Sequence, residues 1–272
     1  MTVGAVRDAT ERLVTQVGRV VVGKDRAIEQ LFAALLVGGH VLLDDVPGVG
    51  KTTLARAVAR SLDLDFHRIQ CTPDLVPSDV TGVSVFDQGS ARFEYRAGPV
   101  MANVLLVDEI NRATPRAQSA LLEAMQEGQV TVDETTHPLP DPFFVVATQN
   151  PVELEGTFPL PEAQLDRFLL LLTLGYPSAA EEDRILRVHG PQQVGPDALS
   201  PLFDREVIGA LRDAVRAVRV GDAVRRYIVD IVRATRGAEG VELGASPRAA
   251  LALYRATQAL AAMRGRDRKS VV

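Results

Sequence analysis

The stretch Asp45-Val46-Pro47-Gly48-Val49-Gly50-Lys51-Thr52 decides how the rest of the chain is read. It follows Val41-Leu42-Leu43, a short apolar run that reads as a buried strand. It precedes residues 53–62, whose alanines, leucine and arginines favour helix. Strand, glycine-rich loop and helix in that order make a phosphate cradle. Gly48 and Gly50 free the backbone to turn its N–H groups inward. The new helix directs its positive dipole end to the same point. Lys51 offers a charge to the β- and γ-phosphates, and Thr52 a hydroxyl to Mg2+. Pro47, Val49 and Thr53 flank these residues and are counted with them as nucleotide-binding. The Walker A pattern begins with glycine, whereas this chain has Asp45. A carboxylate beside phosphates repels them, so Asp45 is expected to point away. The bland alternative is an ordinary turn after a strand; the strand–loop–helix setting favours the cradle.

At 272 residues the chain is long enough for one large or two modest domains. Its net charge of −5 argues against a dedicated nucleic-acid binder, without excluding a local basic channel. Cys71 is the only cysteine, which rules out an internal disulfide and suits the cytosol. It reads as a small apolar residue ending a strand rather than a reactive thiol. Residues 1–10 lack the apolar segment of a signal peptide. The apolar runs around Leu35 and Leu170 are too short or too interrupted to span a bilayer.

Upstream of the loop, residues 7–20 read as a helix leading to Val21-Val22-Gly23. After Lys24, Ile28, Leu31, Phe32, Leu35 and Leu36 fall at helical spacing until Gly38-Gly39 stops them. Downstream, residues 66–71 read as a second strand. Residues 83–86 and 91–95 flank Asp87-Gln88-Gly89-Ser90, a hairpin signal. Val104-Leu105-Leu106-Val107 is the continuous apolar run of a central parallel strand, and it ends in Asp108-Glu109. Carboxylates at a strand's C-terminal end lie where an open α/β sheet binds ligands. Asp108 suits the Mg2+ shell, and Glu109 suits polarising a water for attack on the γ-phosphate. A solvated strand end would look the same; the cradle upstream tips the reading.

Residues 115–127 read as a helix with Ala117, Leu121 and Met125 on one face, ended by Gly128. Residues 129–132 and 137–139 flank a turn-prone 133–136, a second hairpin. His137 has no partner spaced for a metal and reads as an exposed hairpin residue. Residues 143–147 form another buried strand. Asn150 beyond it can orient an attacking water, although Asn before Pro151 also suits a turn. Residues 161–168 read as a short helix carrying Asp166-Arg167. Arg167 is either a surface charge or an arginine finger reaching a neighbouring subunit's γ-phosphate. After Gly175-Tyr176-Pro177 the strand signals stop, and residues 179–188, 204–218, 223–236 and 246–264 read as helices. The boundary is therefore expected between an α/β core, 1–175, and a helical lid, 176–272. Ser246-Pro247 is a helix start, and Arg248 sits in the first turn, where a cation opposes the dipole. That local cost invites a functional reading.

Together these motifs resemble an AAA+ ATPase, and their wording resembles the MoxR family. The matching stretches are Val22-Gly23-Lys24, residues 45–52, residues 69–75, Asp108-Glu109-Ile110-Asn111-Arg112, residues 147–150, residues 159–168 and Gly244-Ala245-Ser246-Pro247-Arg248. The resemblance implies a P-loop αβα core followed by a small helical lid, with ATP and Mg2+ as cofactors. It adds Val22 and Gly23 to the nucleotide site. It makes Asn150 sensor 1, Arg167 the arginine finger and Arg248 sensor 2. It places residues 83–95 in a hairpin inserted in the second helix, and residues 129–139 in a hairpin before the sensor strand. It also implies a ring, usually hexameric, a chaperone-like role on protein clients, and often a partner with a von Willebrand factor A domain.

Competing readings are a DNA-remodelling AAA+ motor, a magnesium-chelatase-like ATPase subunit and a small P-loop kinase. DNA motors carry Lys or Arg on such hairpins; the tips here are acidic or neutral, so nucleic acid is not expected. A kinase would need an acceptor site and no separate lid bearing Arg248. The ending Asp267-Arg268-Lys269-Ser270-Val271-Val272 has no helix start and no family resemblance. It back-translates into a common sequencing adapter, which suggests a truncated gene fragment with an incomplete lid. Ala250, Leu253, Tyr254, Leu260 and Ala261, with Thr257 and Leu251, are expected to form the apolar stripe of the last helix.

Overall fold

The computed structural model describes residues 1–151, 156–190 and 195–269. The chain opens with α1 (Val3–Val17) and α2 (Asp25–Leu36), then β1 (Val41–Asp44), α3 (Lys51–Ser61) and β2 (Phe66–Gln70). One helical turn, α4 (Pro77–Thr81), leads into an antiparallel hairpin, β3 (Gly82–Asp87) and β4 (Arg92–Ala97). Next come β5 (Val104–Asp108), α5 (Pro115–Glu127), a second hairpin of β6 (Gln129–Val132) and β7 (Thr135–Pro138), and β8 (Phe144–Gln149). A short α6 (Glu162–Leu165) and β9 (Leu170–Leu172) complete the α/β part. The helical part follows as α7 (Ala179–His189), α8 (Arg205–Arg216), β10 (Arg219–Val220), α9 (Asp222–Thr235), α10 (Pro247–Met263) and β11 (Arg268–Lys269).

The central sheet is wholly parallel, in the order β2-β5-β8-β1-β9. Its inner strands are apolar throughout because both faces are covered. Val41, Leu43, Val104, Leu106, Phe144 and Val146 point into one layer, with α1, α2, α3, α8 and α10. Leu42, Leu105, Val107, Val145 and Ala147 point into the other, with α5. The alternation is the pleat of each strand read against two helical layers. On edge strand β2 only Ile69 is buried.

Several expectations need correction. The first hairpin follows a single turn, and no helix resumes between Ala97 and Val104, so it does not interrupt a two-part helix. The second hairpin turns on two residues, Asp133 and Glu134, at φ 47° and 68°, so Thr135 and Thr136 are already in strand. His137 is half-buried rather than exposed: its ring stacks on Tyr95 of the first hairpin at 3.9 Å and 15°. The α6 helix stops at Leu165, leaving Asp166 and Arg167 in the following turn. On α10 the buried residues are Gln258, Ala259, Ala261, Ala262 and Met263; Leu251 and Leu260 are exposed. The lid also contains a parallel pair, β10 with β11. The suspected non-native ending falls partly on residues 270–272, which lie outside the described residues.

Candidate nucleotide site

The P-loop candidates, Asp108, Glu109 and Asn150 lie at or just past the C-terminal ends of β1, β5 and β8, whereas Val22 and Gly23 lie between α1 and α2. Past β1 the loop carries Gly48 at φ 84° and Gly50 at φ 88°, a region only glycine enters freely. A Cβ on either would meet nothing within 4 Å, so the concavity beside them is open. Gly48, Val49, Gly50 and Thr53 line a cleft of about 420 Å3. Its opposite walls are Val20, Val21, Val22 and Lys24 on one side and Pro177, Ile185 and His189 on the other. His189 Nε2 holds the last two together by donating to Val20 O at 3.1 Å. Gly23 stands next to Val22 at φ 73°, and a Cβ there would collide with the Glu181 carboxylate. A polar, glycine-lined mouth with an apolar wall fits a nucleotide.

Lys51 Nζ donates to Asp45 O at 2.5 Å and to Gln149 O at 3.4 Å. Burial pulls its ammonium pKa down, opposed by the carboxylates of Asp45, Asp108, Glu109 and Asp44. As expected, Asp45 points away from the cradle: Oδ2 accepts the N–H groups of Leu174 and Gly175 at 2.6 and 2.7 Å.

On the next strands, Asp108 is buried and its Oδ2 accepts from Thr52 Oγ1 at 3.3 Å. Thr148 Oγ1 donates to its Oδ1 at 3.2 Å, and Arg68 Nε to its Oδ2 at 2.6 Å. A threonine hydroxyl converging with one carboxylate is the protein's share of a site that takes its remaining ligands from water and phosphate, so the residues fit Mg2+. Among the described residues no group of three or more His, Cys, Asp or Glu could hold a metal unaided. Glu109 adopts φ 57°, with its N–H donating to Thr148 Oγ1 at 2.9 Å. Its Oε2 accepts from Gln70 Nε2 at 2.9 Å and Arg112 Nη1 at 3.1 Å. Asn150 is buried just past β8.

The two arginines lie elsewhere. Arg167 and Arg248 line a second cavity of about 290 Å3 with Arg255, Asp166 and His40, and neither lines the P-loop cleft. Ser246 joins them: its hydroxyl donates to both oxygens of Asp166, at 2.8 and 2.9 Å, and accepts the Ala249 N–H at 3.1 Å as the cap of α10. The Asp166 carboxylate thus faces the helix N-terminus and offsets the cost of Arg248 there.

The family model for the ATPase family associated with various cellular activities (AAA) matches residues 40–170, and an AAA lid domain model matches residues 233–270. Chaperone MoxR1 of Mycobacterium tuberculosis is 45% identical over 94% of this chain and 70% of its own length. Protein MoxR of Methylorubrum extorquens is 35% identical over 96% of this chain and 82% of its own. The chain belongs to the MoxR family of AAA+ ATPases. A crystal structure from Cytophaga hutchinsonii agrees with a TM-score of 0.90 at 40% identity, covering 98% of this chain and 84% of that one. YeaC of Bacillus subtilis is 55% identical over 94% of this chain and 80% of its own.

In this MoxR-family chain several site neighbours escaped the sequence reading: Arg68 and Gln70 beside the carboxylates, and Ile185 and His189 from the lid. Arg68 and Gln70 pair across β2 and β5, where Gln70 stands opposite Asp108. No local signal marks such a cross-strand neighbour. Cys71 is buried as expected, and burial first, then Asp108 and Glu109, push its thiol up to about 12. Both causes disfavour its thiolate, the nucleophilic form.

Proposed function

We propose that the chain hydrolyses Mg-ATP in a ring of its own copies, usually six, and spends the cycle on remodelling or maturing protein clients. The observation that carries this reading is the separation of the P-loop cleft from the Arg167–Arg248 cavity. Each copy then presents a P-loop cleft that neither Arg167 nor Arg248 lines, and those two arginines in a cavity of their own. A neighbour placed in trans brings the two together.

Within the cleft, Lys51 leaves the Asp45 carbonyl for the β- and γ-phosphates. Thr52 and Asp108 hold Mg2+, which when bound draws charge off the phosphate oxygens. Glu109, released from Gln70 and Arg112, takes the proton of the attacking water, and Asn150 orients that water. Arg167 and Arg248 meet the charge that develops on the γ-phosphoryl group of the next copy. The core ends at Gly175 and the lid runs from Tyr176. The relative named Chaperone MoxR1 favours protein clients, and so does the Asp133-Glu134 hairpin tip, which repels nucleic acid. A von Willebrand factor A domain partner and a cytoplasmic setting belong to the same reading. Among the described residues, no helix is long and apolar enough to cross a membrane.

The test is nucleotide binding and turnover in two variants. Lys51→Ala is expected to lose ATP binding, and Glu109→Gln to bind ATP but hydrolyse it at least ~100-fold more slowly. Equal affinity in wild type and Lys51→Ala would overturn the P-loop assignment.

A further inference from the structure

Asp45 occupies the position that the Walker A pattern gives to glycine, and its side chain is almost wholly enclosed, with 5% exposure. A buried carboxylate is costly unless its oxygens are satisfied. Here Oδ1 accepts the Val46 N–H at 2.8 Å, while Oδ2 takes those of Leu174 and Gly175. The carbonyls of the same two residues are also taken: Lys24 Nζ, likewise buried, donates to Leu174 O at 2.8 Å and Gly175 O at 3.0 Å. Two ionic side chains from different segments therefore hold all four polar groups of one dipeptide. That dipeptide joins β9 to the lid. Two residues on, Pro177 begins the wall of the P-loop cleft that Ile185 and His189 continue.

We propose that Asp45 is a positioning residue: with Lys24 it clamps the Leu174–Gly175 peptide and so fixes the lid wall over the nucleotide cleft. The inference rests on the nucleotide reading of that cleft. It reverses the expectation from the motif. Restoring the consensus glycine leaves three partly buried N–H groups without their acceptor, so it loosens the wall instead of improving the cradle. Because Lys51 also holds the Asp45 carbonyl, the clamp begins at the residue that phosphate arrival disturbs.

The experiment pairs calorimetric titration of ADP and ATP with a distance measurement that needs no nucleotide. Spin labels on cysteines replacing exposed Glu123 of α5 and Arg187 of α7 report the lid's position; buried Cys71 stays unlabelled. Asp45→Gly and Lys24→Met should each weaken both nucleotides by roughly tenfold, about one charge-assisted hydrogen bond. The label distances should broaden, and the double variant should be no worse than the weaker single one, because both act on one joint. Asp45→Asn keeps a carbonyl oxygen for Leu174 and Gly175 and should recover part of the loss, a rescue that a general packing defect would not show. It is also the variant to read if Asp45→Gly does not fold. Unchanged or tighter binding in Asp45→Gly with an unchanged distance distribution overturns the clamp. If wild type binds neither nucleotide, the reading of the cleft falls, and the distance distributions alone decide the clamp.

Discussion

His40 at the mouth of β1 shows how much one side chain can carry. Its Nδ1 accepts the Val145 N–H at 3.0 Å, so the proton sits on Nε2, which donates to Met125 O at 3.1 Å. Burial is the main cause that lowers its pKa from 6.5 to about 4, and the bond to Met125 opposes the shift. The folded pKa lies below the unfolded one, so the unfolded chain binds the proton first. This contribution is complete above pH 6.5 and is lost as pH falls toward 4. The loss is on the order of a few kcal/mol. Chemical denaturation at pH 7 and pH 4.5 should show it, and His40→Gln should flatten the slope across that window. If His40→Gln keeps the full acid sensitivity, His40 is not its source. At this scale the grouping of Gly48, Gly50, Lys51 and Thr52 with Asp108 and Glu109 at one end of the sheet was legible in the chain, because each candidate belongs to a contiguous motif. Arg68 and Gln70 were not, because only the register of β2 against β5 sets them beside Asp108 and Glu109.

Among the elements, α10 carries Arg248 and Arg255 of the arginine-lined cavity. Thr114 and Ser246 both cap helices that open with proline, and Ser246 alone also reaches Asp166. Ser246→Ala should cost roughly 1 kcal/mol for the lost cap and somewhat more for the unpaired Asp166. It should lower turnover through Arg248 while leaving ADP affinity intact. A thermal melt with a parallel ADP titration checks this, and weakened ADP binding would show that the cap serves the cleft directly. The bounds of α5 were readable to the residue, from Pro115 to the Gly128 stop, because start and stop signals are local. The stripe of α10 was not. Its neighbours are α1, α2, α8 and α9, and their packing, not the helix's own period, selects which residues are covered.

For the whole molecule, Leu13 and Val17 of α1 share one apolar cluster with Ile208, Leu211 and Val215 of α8 and Ala259 and Ala262 of α10. Among the described residues, α8 and α10 thus share the core of the α/β part, and heating should give a single transition by calorimetry and circular dichroism alike. Two separated transitions would contradict that. If Arg167 acts across an interface, Arg167→Ala and Glu109→Gln should each be nearly inactive, yet their mixture should regain hydrolysis. Such a mixture builds interfaces with one intact Glu109 facing one intact Arg167. Free subunit exchange with no recovered turnover would place Arg167 outside the neighbour's site.

The Tyr95–His137 stack has a mechanical consequence. Glu109 leads through a short 3-10 turn into α5, and Gly128 passes α5 directly into the second hairpin. The stack couples that hairpin to the first, whose Phe93 stands 73% exposed near the tip. Packed elements therefore run without a break from the hairpin that carries Phe93 back to Glu109, the residue that follows β5. Cutting that ring contact, as in His137→Ala, would leave the two hairpins linked by the packing of β3 on β6 and, through α4, on α5.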